Sequence, residues 1–517
     1  MKKIIGRSSK KNRNKERVAN QANLKKNEPL SADLNDNIEH ITTLMGESID
    51  LHIQRFQSGN GIEVALIYIE GMVDQHILTH SITSALMDLK TIEVPNDIKA
   101  VDYFTESVLS TSKTMKLNKW NDTVSVLLSG DAVILIQGSD QSIGCYCKGG
   151  KTRDITEPSS ELVVRGPKDS FTESLRTNTT LIRQRIRNPA LRIKSMHIGE
   201  VTKTEINILY IDGIAKESLI KELKDRLSKI EIDGILESGY LEEFIQDQTF
   251  TPFPQVMNTE RPDVVSGNLL EGRITVLVEG TPFGLILPVS FFQFFTSPED
   301  YYLRSDIATF LRLLRIFVFF VSLMAPSIYI AVTTFHQEMI PTVLLLGLAA
   351  QQEGVPFPAF IEAMIMEITF EILREAGIRM PRAIGQAISI VGAVILGEAA
   401  VQAGLVSPVM VIVVALTAIS SFATPRFNIA ISARLIRFVL MISAATFGFY
   451  GITIVLIMMI AHLSSLRSLG IPYLTSVAPF NASDQKDTFI RFPLWAMKRR
   501  PHDTPQPNAL KRQAADE

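Results

Sequence analysis

Two carboxylate arrangements stand out in the apolar back half of this sequence. Glu398 interrupts a run of apolar and small residues, and Glu367, Glu371 and Glu375 repeat at four-residue intervals. An ionisable group among lipid chains costs about 3 kcal/mol, so Glu398 has to face protein or water. Val394 and Val401 lie four residues before and three after it, and Gln402 four after, so one helical face can present all of them. That is the pattern of an ion pathway whose valines close it by dewetting. The competing reading puts Glu398 near the membrane surface, paired with an arginine. Carboxylates four apart on a helix repel one another. Either Arg374 and Arg379 neutralise part of a solvated interfacial face, or Glu367, Glu371 and Glu375 form a cation vestibule in an oligomer.

The soluble half offers less chemistry. Gly144-Cys145-Tyr146-Cys147-Lys148-Gly149-Gly150-Lys151-Thr152 approaches a phosphate loop, but Cys145 stands where the first glycine belongs, and Arg153 to Pro158 is turn-like rather than helical. Cys145 and Cys147 are the only cysteines. On a strand they share a face; inert buried thiols are expected over a strained disulfide or half a metal site. There is no zinc-protease helix motif, nucleophile elbow or dinucleotide fingerprint. No enzyme, cofactor or metal site is therefore expected. In Thr259-Glu260-Arg261-Pro262-Asp263, proline fixes the backbone and biases Arg261 towards an extended conformation, which makes a rigid turn. Its Glu260 and Arg261 can clamp the soluble units to each other or to the membrane part.

The elements that must position these groups follow from how charge is spread. The net charge is -2 over 517 residues, yet between Met380 and Ile460 the only charged residues are Arg382, Glu398, Arg426, Arg434 and Arg437. A soluble front and a membrane-embedded back follow. The expected layout is a basic disordered arm over 1–40, a soluble α/β unit with its connector over 41–190, and a second over 191–300. A polytopic all-α membrane domain with about four or five helices (301–480) and a polar tail (481–517) complete it. The first 26 residues hold ten Lys or Arg and no apolar core of a signal peptide. Excess basic charge keeps that arm and the soluble half in the cytoplasm, and it can also meet anionic lipid.

The soluble units are read as tandem copies. Leu66-Ile67-Tyr68-Ile69-Glu70-Gly71 matches Ile208-Leu209-Tyr210-Ile211-Asp212-Gly213, and Leu127-Leu128-Ser129-Gly130 matches Leu269-Leu270-Glu271-Gly272, both at an offset of 142. Two matches sharing one offset indicate a repeat. Helices are expected over 74–90 and 215–230, with Leu219, Leu223 and Leu227 on one stripe. Between the copies, Arg176 to Arg192 reads as a helix stopped by Asn188-Pro189; without interleaved aromatics it is a solvated helix or connector, and no nucleic-acid partner is expected.

In the membrane half, 316–335 is a span with Pro326 as a kink, 339–352 is re-entrant or tilted, and 356–377 is an interfacial amphipathic helix. A hairpin over 383–406 and 408–425 is expected from Ser407-Pro408, a good cap and first-turn pair. Residues 438–461 make the last clear span, and placing every basic flank inside then demands a re-entrant segment or one missed crossing. Arg374, Arg379 and Arg382 on one side, and Arg426, Arg434 and Arg437 on the other, are expected to flank the hairpin in the cytoplasm.

Thr259 to Asp263, Glu271-Gly272-Arg273, Pro298-Glu299-Asp300-Tyr301-Tyr302, Thr334-Phe335-His336-Gln337-Glu338, Val355-Pro356-Phe357-Pro358, Leu373-Arg374-Glu375-Ala376-Gly377 and Ser468-Leu469-Gly470-Ile471-Pro472-Tyr473-Leu474 resemble the successive blocks of A subunits of GerA-family spore germination receptors. The resemblance runs in unbroken order from about residue 40 to 500. It implies a place in the spore inner membrane, a transporter-like B subunit and a lipoprotein C subunit as partners, and nutrient sensing. It also implies self-association into an oligomer that conducts or signals, triggering cation release. A secondary transporter is the runner-up, since Pro and Gly interrupt several spans. Such carriers repeat their membrane halves, however, whereas here the soluble part is duplicated. A non-conducting signalling scaffold is the further alternative.

Overall fold

The computed structural model describes residues 29–58, 61–87, 100–105, 109, 113–149, 157–158, 161–379, 397–497 and 500. The basic arm up to residue 28, Gly150 to Thr152, Val394 and most of the segment before Glu398 lie outside them. The arm is shorter than expected, because helix α1 (Leu34–Met45) already begins at residue 34. Leu34, Ile38, Ile41 and Met45 bury one of its faces on the first unit.

The first unit is a five-stranded sheet of β1 (Leu51–Gln57), β2 (Glu63–Ile69), β3 (Thr114–Leu117), β4 (Ala132–Ile136) and β5 (Ser142–Cys145), in the order β1-β2-β4-β5-β3. Helices α2 (Ile77–Met87), which opens with a π-helical stretch, and α3 (Trp120–Leu128) connect them. The central strands are buried on both faces, so they read as unbroken apolar runs. Val64, Leu66, Ile134 and Ile136 serve one core, while Ala65, Ile67, Ile69, Val133 and Leu135 serve the other.

The second unit repeats this topology with β6 (Leu191–Ile198), β7 (Thr204–Ile211), β8 (Met257–Thr259), β9 (Ile274–Val278) and β10 (Gly284–Leu287), in the order β6-β7-β9-β10-β8. Helix α4 (Leu175–Arg185) takes the place of α1; α5 (Glu217–Leu227), α6 (Ser238–Ile245) and α7 (Pro262–Leu270) complete the unit. Both sheets are wholly antiparallel. Tyr68 and Tyr210 sit at equivalent places, opposite His52 and Arg192 respectively. Even the helix entry is duplicated: Leu34 N donates to Gln137 Oε1 and Leu175 N to Glu279 Oε2, each at 2.7 Å.

The basic connector is not a solvated helix throughout. Arg183 is fully buried, donating to Asp50 at 2.8 and 3.0 Å, to Ser48 Oγ at 3.1 Å and to Leu191 O at 3.2 Å. It bolts the first unit to the second, with Ile49 N to Ile193 O at 3.1 Å and Ile193 N to Ser48 Oγ at 3.2 Å beside it. Cys145 and Cys147 are free and buried, and burial raises the Cys147 thiol to about 12, which keeps it protonated and inert.

Helical structure follows: α8 (Ser305–Thr334), α9 (Thr342–Gln352), α10 (Ala359–Arg379), α11 (Pro408–Phe422) and α12 (Phe427–Ser465). Among the described residues, α8 and α12 are long and apolar enough to cross a membrane. Pro326 lies within α8, which stays helical past it to Thr334. The span expected over 438–461 lies within α12 and contains a break. Gly448, at φ 57 and ψ -139, breaks α12 into two halves. They fold back on each other: Ser432 in the first half donates to Pro252 O, and His462 in the second lies 2.8 Å from Thr251 Oγ1. A Cβ on Gly451 would lie 2.2 Å from Ser443 O, so the halves touch at backbone distance. At 1.5 Å per residue they are about 31 and 25 Å long, close to the thickness of a hydrocarbon layer.

Candidate functional site

The glutamate helix α10 is pinned by arginines from elsewhere. Glu367 and Arg437 are both fully buried and meet at 2.5 Å. Pro326 has no N–H for the carbonyl four residues before it, Ser322 O. Arg437 Nε takes that acceptor at 2.7 Å, so the proline and the ion pair form one structure joining α8, α10 and α12. Glu371 pairs with Arg374 and, at 3.2 Å, with Arg434; Glu375 pairs with Arg379 at 2.6 Å. Each of Glu367, Glu371 and Glu375 thus has an arginine on it within this chain. Helix α10 is not interfacial over its length, since Glu362 and Glu367 are wholly inside. Arg437 is likewise no cytoplasmic flank but a buried counter-charge.

Glu362 went unremarked in the sequence because nothing nearby in the chain marks it. It is fully buried, and its Oε2 accepts from Ser407 N at 2.8 Å, tying the start of α10 to the start of α11. The Ser407-Pro408 signal is realised, with Ser407 Oγ accepting from Met410 N and Pro408 opening α11.

Glu398 differs from these acids. It is exposed, and Gln402 Nε2 donates to its Oε1 at 3.2 Å. The exposed pair points away from the bundle of its own chain, with half-buried Val401 between them in sequence. Gly397 packs towards Val411 on α11, its would-be Cβ 3.5 Å from Val411 Cγ1.

The rigid turn forms the junction. Arg261 is fully buried; it donates to Asp263 at 2.8 and 3.1 Å and to Pro167 O at 2.9 Å. Pro262 opens α7, and Phe171 N donates to Glu260 O at 2.7 Å. Tyr302 donates to Asp263 Oδ2 at 2.6 Å; burial, then this carboxylate, raises its phenol and keeps the donor proton in place. Thr259 Oγ1 donates to Glu161 Oε2 at 2.8 Å, and Glu161 Oε1 takes Arg426 at the cap of α12. The turn Thr259, Glu260, Arg261, Pro262 and Asp263 thus meets the connector directly and, through Glu161 and Tyr302, the starts of α12 and α8. Glu161, the bridging acid, was not legible because its partners lie about a hundred and two hundred and sixty residues away. Glu161→Ala is expected to strip Arg426 of its counter-charge and lower stability by about 2 kcal/mol, read by thermal unfolding in detergent. An unchanged transition would mean Arg426 is solvated.

A second clasp lies at the base of α8. Asp300 accepts from Arg312 at 3.1 Å and Arg315 at 2.6 Å, and Asp487 of the tail accepts from Tyr301 at 3.0 Å and Arg312 at 3.3 Å.

Residues 39–503 match the family described as Bacillus/Clostridium GerA spore germination protein. Spore germination protein KA of Bacillus subtilis (strain 168) is 50% identical over 490 residues, 94% of this chain and 89% of that one. Spore germination protein A1 of the same organism is 39% identical over 478 residues, 92% and 97% of the two chains. The crystallised N-terminal domain of the A subunit of the Bacillus megaterium spore germinant receptor GerK3 matches at 40% identity over 51% of this chain and 98% of that one, with a TM-score of 0.42.

Proposed function

This chain belongs to the GerA family of spore germination proteins, and on that premise we propose that it is the A subunit of a nutrient receptor that oligomerises into a cation gate in the spore inner membrane. The observation that carries the reading is the contrast among its membrane-half acids. Glu362 and Glu367 are buried within the chain and Glu371 is held by two arginines, whereas Glu398 faces outward with Gln402. An exposed carboxylate in an apolar segment has to meet water, and an assembly of copies around an aqueous path supplies it. Val394 and Val401 are the closing residues, Glu398 and Gln402 the ion-facing ones. The soluble units lie in the cytoplasm. Transporter-like B and lipoprotein C subunits are the partners, and the role is receptor and gate rather than enzyme.

Purified chain in liposomes tests this. Glu398→Gln should lower cation flux about tenfold with assembly intact, since it removes the charge that attracts the ion. Val401→Ala should raise the resting leak. Equal flux in all three proteins, or flux only when coupled to a nutrient substrate, would replace the gate with a scaffold or a carrier.

A further inference from the structure

The loop after α6 rides up the side of the membrane helices. Pro252 O is bonded by Ser432, five residues into the first half of α12, and Thr251 by His462, three residues before the end of the second half. At 1.5 Å per residue those positions are about one turn inside the helix ends. Phe250, next in sequence, is 93% exposed. Tyr240 and Phe244 project from the outer side of α6 at helical spacing, and Leu236 precedes its cap at 70% exposure. Leu241 and Ile245, on the opposite side, fill the core of the second unit. The loop is also held from below, with Asp247 accepting from Gly470 N at 2.9 Å and pairing with Arg226. Phe253 turns inward, 6.2 Å from His462 and 6.0 Å from Phe291 between ring centres.

We infer that Phe250, with Tyr240, Phe244 and Leu236, forms a foot by which the second soluble unit seats in the headgroup layer of its own membrane. The inference rests on the membrane reading above. A soluble domain gains nothing by presenting four large apolar side chains on one short segment. Aromatic rings beside the base of a membrane helix occupy the zone that accommodates them best. Residues 236–250 include exposed Glu237 and Glu243 and no Lys or Arg, so the contact is made by ring insertion rather than by attraction to anionic lipid.

The test uses the full chain in phosphatidylcholine vesicles with brominated acyl chains. Phe250→Trp and Tyr240→Trp are the reporters, and Phe317→Trp, 64% exposed on α8, is the control. Emission beyond that of the native Trp120 and Trp495 is read. Quenching by about twofold at 250 and 240, as at 317, is the expected result. If position 317 is quenched while 250 and 240 stay bright, the foot is overturned, whether iodide reaches them from water or a neighbouring protein shields them. If position 317 is bright as well, α8 is not in lipid, and the membrane reading falls with the inference.

Discussion

Arg437→Met is expected to be among the most damaging single changes in the helical half, lowering stability by about 3–5 kcal/mol in a denaturant titration of the detergent-solubilised chain. Glu367 would be left fully buried with its counter-charge gone, forced either to stay ionised at great cost or to hold a proton. The Ser322 carbonyl, already without a helical donor because of Pro326, would lose Arg437 too. Glu367→Met should be similarly harmful. The double change Glu367→Met with Arg437→Met should recover most of the loss, because matched apolar side chains remove both desolvation costs at once. Glu367 Oε1 and Arg437 Nη2 already lack partners among the described residues, so the pair leaves bonds unmade that the double variant does not need. Two harmless single variants would show that this contact does not hold α10 to α12.

Gly448→Val is the second severe change expected. Its φ of 57 and ψ of -139 lie in a region open essentially to glycine alone, worth about 1–3 kcal/mol of strain for any other residue. A Cβ would also sit 2.7 Å from His336 Cε1 and 3.0 Å from Phe335 Cβ, at the far end of α8. The halves of α12 should splay. Spin labels at Leu435 and Met458, exposed positions in the two halves, should report a changed and broader separation. Gly451→Ala should act alike, since its new carbon meets the Ser443 carbonyl rather than a movable side chain. An unchanged label distance in both variants would mean that the turn does not depend on glycine.

Local signals were legible in the sequence, and pairings across the chain were not. The offset of 142 foretold two sheets of one strand order because a repeat copies its own apolar pattern, down to Gln137 and Glu279 at the helix entries. Ser407-Pro408 marked a helix start because a cap is decided within four residues. By contrast, Gly448 looks like any small residue in an apolar helix until its φ is known. Arg437 was mistaken for a flank because a basic residue near the end of an apolar run carries the same signature whether it meets water or a glutamate seventy residues away. Arg183 was taken for a solvated residue because its acid, Asp50, belongs to the other repeat. Charge type is written in the chain, but the choice of partner is made by the fold.

The second unit shares one continuous core with the helical bundle, through Phe291, Phe294, Phe295 and Phe319. The chain leaves that unit at α8 and returns to it after α12, where Ser468 Oγ donates to Gln255 O at 2.7 Å and Tyr473 donates to Pro254 O at 2.5 Å. The helices are thus fastened to it at both of their chain ends. The first unit is joined to it by Arg183, Arg192 and the edge bonds around Ser48. In mechanical terms the second unit is the socket and the first is the arm of a lever. The Arg183–Asp50 bolt and the shared aromatic core place the first unit, the second unit, α8 and α12 in one connected chain of contacts, so a load on the arm would meet α8 and α12 together.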